Sequence, residues 1–140
     1  MAEDRLKKFG DIKASEVMVK DPLYIAPDDK ISMTELLMLK KKIGGLPVIH
    51  GNNKIIGIIT QRDIRLARFA MSLDSPNTIV RDLMTPEPIV VREDSTIKEM
   101  LKLMFDHKIE RLPVVNSNNE LLGLILQQEI LKKLYDYLKG

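Results

Sequence analysis

A chain of 140 residues and 16.0 kDa is long enough for one ordinary domain or two very small ones. Hydrophobic residues at 44% and charged residues at 30% give a globular balance, and 22 bases against 20 acids leave a net charge of only +2, too even to mark a nucleic-acid binder. Zero cysteines exclude disulfides, thiolate nucleophiles, iron–sulfur clusters and thiolate zinc, and two histidines are too few for a multi-histidine metal centre.

In chain order, Leu23-Tyr24-Ile25 follows Pro22 and reads as a short strand. Asp29 stands where a side-chain oxygen can cap a helix over Lys30–Lys42, whose apolar residues at 33, 36 and 37 define a face to bury. Lys40, Lys41 and Lys42 fall in its last turn, where the helix dipole favours cations. Leu46–Ile49 and Lys54–Ile59 flank the turn formers Gly51-Asn52-Asn53 and predict a hairpin, followed by a helix over Gln61–Ser72. A linker falls at 73–78. The order then repeats: a strand at Ile89-Val90-Val91, a cap at Ser95, a helix over Thr96–Lys108 with apolar residues at 100, 101, 103 and 104, a hairpin from Leu112–Val115 and Glu120–Leu126, and a helix over Gln127–Leu138.

The repetition is literal. Sliding the chain by 66 residues aligns Ser15–Leu66 with Arg81–Lys132 without a gap, and 17 of the 52 pairs are identical. Among them are Met18/Met84, Pro22/Pro88, Leu46-Pro47-Val48/Leu112-Pro113-Val114, Asn52-Asn53/Asn118-Asn119 and Gly57/Gly123. One β-α-β-β-α copy of about 60 residues is marginal alone. The expected fold is therefore mixed α/β (α+β), with copies at 11–72 and 79–139 packed through their sheets under a pseudo-twofold and ligand clefts at the seam.

Leu46-Pro47-Val48-Ile49 ahead of a hairpin, and Gly57-Ile58-Ile59-Thr60-Gln61-Arg62-Asp63 after it, together with their second copies, resemble a tandem pair of cystathionine β-synthase (CBS) domains. The resemblance spans about residues 11–139 and extends to the γ subunit of AMP-activated protein kinase. It implies a regulatory module that takes an adenine nucleotide, AMP foremost, between the copies and that pairs with a second copy of itself. ATP, NAD and S-adenosylmethionine are other ligands of the family.

The residues support a phosphate and sugar site on their own terms. Thr60, Gln61, Arg62 and Asp63 end a strand and open a helix, where unpaired N–H groups and the dipole suit a phosphate. The Thr60 hydroxyl stands beside them, and the Asp63 carboxylate can accept from vicinal ribose hydroxyls. Thr60-x-x-Asp63 is equally a capping box, and the two roles can coexist. Gly57 allows a close approach of backbone or ligand. The resemblance completes this cleft from the other copy: Ile89 and Val90 on adenine, Thr85 at the base or ribose edge, and Arg111 on phosphate. Glu110 and Gln128 stand where the kinase subunit has histidine and lysine, which removes positive charge and keeps AMP, adenosine and S-adenosylmethionine ahead of polyphosphates. The mirror cleft, with Tyr24, Gly44, Gly45, Leu126 and Glu129, reads as degenerate: Leu126 has no hydroxyl and Gly44-Gly45 supply no cation, or serve only as a helix C-cap.

Catalysis is not expected. No base–nucleophile pair or metal cluster is written locally, and His50 and His107 read as a strand end and a helix end. No cofactor is expected either. Arg62, Arg65 and Arg68 recur on one helix face, but the aromatics that would stack on bases are scarce. The competing reading is a ligand-free dimerisation or docking module acting on an unidentified protein partner. The longest apolar run, around Ile55–Ile59, is broken by Gly57, and Met1–Arg5 is charged, so a cytoplasmic chain without membrane association is expected.

Overall fold

The computed structural model describes residues 2–71 and 77–140; residues 73–76 of the expected linker lie outside them. In chain order the elements are α1 (Ala2–Gly10), α2 (Ala14–Val17), β1 (Val19–Lys20), α3 (Ile31–Lys41), β2 (Gly45–His50), β3 (Lys54–Thr60) and α4 (Gln61–Met71). They continue with α5 (Val80–Leu83), β4 (Thr85–Pro86), α6 (Ile97–His107), β5 (Arg111–Val115), β6 (Leu121–Leu126) and α7 (Gln127–Lys139). The fold is mixed α/β with two three-stranded sheets, β1-β6-β5 and β2-β3-β4.

The sheets show how the copies are built. Each hairpin gains its third strand from the segment that precedes the other hairpin's copy: β4 pairs with β3 (Gly57↔Pro86, Ile58↔Thr85), and β1 pairs with β6 (Val19↔Leu124, Lys20↔Gly123). The compact units are accordingly Met1–Pro22 with Ile89–Gly140, here unit 1, and Leu23–Pro88, unit 2. A second set of bonds ties the same segments to each long helix entrance. In unit 2, Ile31 N–H donates to Thr78 C=O (3.1 Å) and Val80 N–H to Asp29 C=O (2.9 Å); in unit 1, Ile97 N–H donates to Ile12 C=O (2.8 Å) and Ala14 N–H to Ser95 C=O (2.7 Å).

Each unit has its own apolar core. That of unit 2 is built on Ile25, Ile31, Met38, Leu46, Val48, Ile59, Ile64 and Val80, and that of unit 1 on Phe9, Ile97, Met100, Met104, Leu112, Val114, Ile125 and their neighbours. The face that α3 buries is Ile31, Thr34 and Met38, one stripe at i, i+3, i+7, while Met33 and Leu36 are exposed, contrary to the expected face. Thr34 hides this stripe from a hydrophobic count. It is 2% exposed and survives burial because its hydroxyl donates to Lys30 C=O at 3.0 Å. The matching stripe of α6, Ile97, Met100 and Met104, is apolar throughout.

Helix ends differ from expectation by small steps. Thr96 caps α6, accepting from Glu99 N–H at 3.2 Å, while Ser95 and Asp29 instead close the preceding turns by accepting from Arg92 and Ala26 N–H. Helices α3 and α6 both stop at a left-handed lysine, Lys42 (φ 55°) and Lys108 (φ 54°), with Ile43 and Ile109 N–H donating back to Met38 and Met104 C=O. Gly44-Gly45 is therefore not the C-cap of α3. At the amino end α1 lies on α7: Arg5 Nη2 donates to Tyr137 C=O at 2.6 Å and the rings of Phe9 and Tyr137 meet edge-to-face at 5.6 Å.

Candidate functional site

On unit 2 the polar candidates collect at one end of the sheet. Gly45 of β2 pairs with Thr60, the last residue of β3, and Gly44 C=O accepts from Gln61 N–H at 2.9 Å. Thr85 stands on the other neighbour of β3, opposite Ile58. Chain order alone gives no hint of this row, because β4 arrives from beyond α4. The strand can lie this close because position 57 is glycine: a Cβ there would come within 2.6 Å of Met84 Sδ and 3.0 Å of Thr85 C=O. What approaches Gly57 is thus the backbone and Met84 side chain of the β4 segment.

Thr60 and Asp63 form the reciprocal box. Thr60 N–H donates to Asp63 Oδ2 at 2.9 Å, and Asp63 N–H donates to Thr60 Oγ1 at 3.1 Å. Both are half-buried. Asp63 Oδ1 has no hydrogen-bond partner among the described residues, so the box consumes one carboxylate oxygen and leaves the other. A carboxylate held by one backbone N–H at one oxygen can accept from a neutral hydroxyl donor at the other. Arg62, beside it, is exposed.

The other candidates lie on unit 1. Ile89 packs against its core and Val90 is half-buried. Arg111, half-buried, pairs across β5–β6 with Leu126, and exposed Glu110 accepts from Gln127 N–H through its carbonyl at 3.0 Å. Leu126 provides no side-chain cap to α7, and Glu129 faces Lys132 Nζ at 3.5 Å. The register thus sets Gly44 and Gly45 beside Thr60 and Asp63, and Glu110 and Arg111 beside Leu126 and Glu129. The sequence grouping, Arg111 with Asp63 and the glycine pair with Glu129, is not what either unit assembles by itself. Tyr24 is on unit 2 and exposed.

The arginine stripe is weaker than its spacing implied. Arg68 is engaged with Glu35 of α3 through two bonds of 2.8 and 2.5 Å, and the guanidinium holds the Glu35 carboxyl below its ordinary range. Among the described residues no helix is long and apolar enough to cross a membrane, and no group of three His, Cys, Asp or Glu could hold a metal ion.

The CBS domain family matches residues 14–69 and 80–136, most of the chain. The chain belongs to this family and carries a tandem pair of its domains. An inosine-5'-monophosphate dehydrogenase of Methanocaldococcus jannaschii is 36% identical over 121 residues, 86% of this chain but only 23% of that enzyme. The chain thus spans about a quarter of the length of such relatives. Among solved structures, CBSX2 of Arabidopsis thaliana in complex with AMP is 26% identical with a TM-score of 0.81, covering 91% of this chain and 98% of that one. The CBS domain pair of protein MJ0100, 22% identical with a TM-score of 0.80 over 89% of this chain and 97% of that one, shares the fold.

Proposed function

We propose that the pair is a regulatory, non-catalytic module that binds an adenosine ligand, AMP foremost, with Asp63 accepting from the ribose hydroxyls. The observation that carries this reading is the half-used Asp63 carboxylate. One oxygen is fixed by Thr60 N–H, the other has no hydrogen-bond partner among the described residues, and the Thr60 hydroxyl and Thr85 lie at the same end of the sheet. The AMP complex of CBSX2, a structure alike over nearly its whole length, supports the choice of ligand. A ligand that prefers one arrangement of the pair shifts the population toward it, and that shift is the signal.

Asp63→Asn keeps an oxygen for Thr60 N–H but replaces the second acceptor with a donor. It should weaken AMP binding by about 10- to 100-fold, the loss of about 1.5–3 kcal/mol in hydrogen bonds to a charged group. Glu129→Gln should change it much less. Equal losses in titration calorimetry, or a parent chain that takes no AMP, would refute the reading. A thermal-shift panel of AMP, ADP, ATP, NAD and S-adenosylmethionine ranks the ligands, because only a ligand of the folded state raises the midpoint.

A second observation favours self-association beside ligand binding. Leu131, Tyr135 and Leu138 make an i, i+4, i+7 stripe on α7 and are 58, 63 and 72% exposed. We take this face to pair with a second copy of the chain.

A further inference from the structure

Two residues next to prolines hold a backbone conformation that side chains disfavour. Asp21, before Pro22, and Glu87, before Pro88, both lie at φ 47°. Aspartate enters this region more readily than most residues and glutamate does not, and the two stand at the same place of their copies, just past the two-residue strands β1 and β4. The units also divide here, after Pro22 and after Pro88. Strain repeated at matching places persists only where the surroundings hold it. Around Glu87 the hold is visible: its N–H donates to Ile56 C=O at 3.2 Å, hooking the end of β4 to β3. One strand position further on, Gly57 gives β4 its seat, since any Cβ would meet Met84 Sδ and Thr85 C=O. The same seat recurs in unit 1, where a Cβ on Gly123 would lie 2.5 Å from Met18 Sδ and 2.9 Å from Val19 C=O. The clamp in unit 2 thus presents a threonine, and the clamp in unit 1 presents a valine.

We infer that Gly57 and Glu87 are positioning residues that act through Thr85: the glycine seat and the left-handed hook fix a two-residue strand that is too short to hold itself, and so fix the hydroxyl that Thr85 offers to the ligand. This rests on the adenosine-binding reading for its consequence, though not for its geometry. A two-residue strand has few ladder bonds, so its register needs such outside restraints. The unit 1 clamp shares the glycine seat and the left-handed residue but has no hydroxyl to offer, and it serves as an internal control for the seat.

The test uses the full chain, AMP as probe, and two readouts: calorimetry, and amide exchange at Thr85 and Glu87. Gly57→Ala should speed both amides and raise the AMP dissociation constant about tenfold, the scale of one or two lost polar contacts. Gly123→Ala should lower the thermal midpoint comparably and leave AMP affinity within about twofold. Glu87→Gly, free to adopt positive φ, should keep AMP affinity, whereas Glu87→Val, which resists it, should behave like Gly57→Ala and decides the matter should that variant not fold. Equal weakening of AMP by Gly57→Ala and Gly123→Ala, or unchanged exchange at Thr85 in Gly57→Ala, overturns the inference. A parent chain that ignores AMP would fail the functional reading alone, and the exchange readout would still decide the clamp.

Discussion

Across the sheet of unit 2 the end row is Gly45, Thr60 and, one neighbour on, Thr85; across unit 1 the matching positions hold Arg111, Leu126 and Val19. The backbones repeat even in their unusual residues: Asp21 and Glu87, Lys42 and Lys108, and Asn53 and Asn119 all have positive φ. A shared scaffold thus carries hydroxyls and a capping aspartate on one unit, and an arginine, a leucine and a valine on the other. Scaffold and chemistry are separable in this chain, and the duplication lets one unit serve as the reference for the other.

The sharpest way to break the comparison is to cut the chain. A fragment Leu23–Pro88 keeps Val80, Leu83, Met84 and β4 with the core of unit 2, whereas 11–72 follows the sequence copy and loses them all. The first should show a cooperative thermal transition and the second none, since three strands with an apolar face are about the minimum for independent stability. Circular dichroism melts of both fragments check it, and a cooperative 11–72 would mean that the sequence copy, not the compact unit, is what folds.

Smaller effects sharpen the contrast. Thr60→Ala should cost about 1 kcal/mol through its lost cap, while Leu126→Thr, which gives α7 a hydroxyl ahead of Glu129, should raise the thermal midpoint by about 3 °C. Smallest is the ion pair between α3 and α4 of unit 2, to which no ion pair between α6 and α7 corresponds among the described residues. Glu35 is held below its ordinary value of 4.5 by Arg68, so the pair's contribution is complete above that value and is lost as pH falls through the lowered folded value. Exposed at 48 and 31%, the pair is worth only about 0.2–1 kcal/mol, which Glu35→Gln should remove at pH 7 and remove progressively less of as the pH falls below 4.5.

Much of this was legible in the residues. The 66-residue repeat, both hairpins, both long helices and the Thr60–Asp63 box all follow from identities, turn formers and capping chemistry. What stayed hidden was non-local or masked by residue type. Two-residue strands such as Thr85-Pro86 carry no alternation to read, and nothing local says that β4 completes the preceding hairpin. Thr34 looks polar yet is core, so the apolar spacing at 33, 36 and 37 points to a face of which Leu37 packs on the core while Met33 and Leu36 are exposed. Gly44-Gly45 looks like a helix stop, but the left-handed Lys42 already ends the helix.

The most direct test of the account compares AMP with 2'-deoxy-AMP on the parent chain and on Asp63→Asn by titration calorimetry. If Asp63 holds the sugar, the parent binds the deoxy ligand at least about tenfold more weakly, and the substitution erases that preference. A parent that binds both sugars alike, or a preference that survives Asp63→Asn, would contradict it.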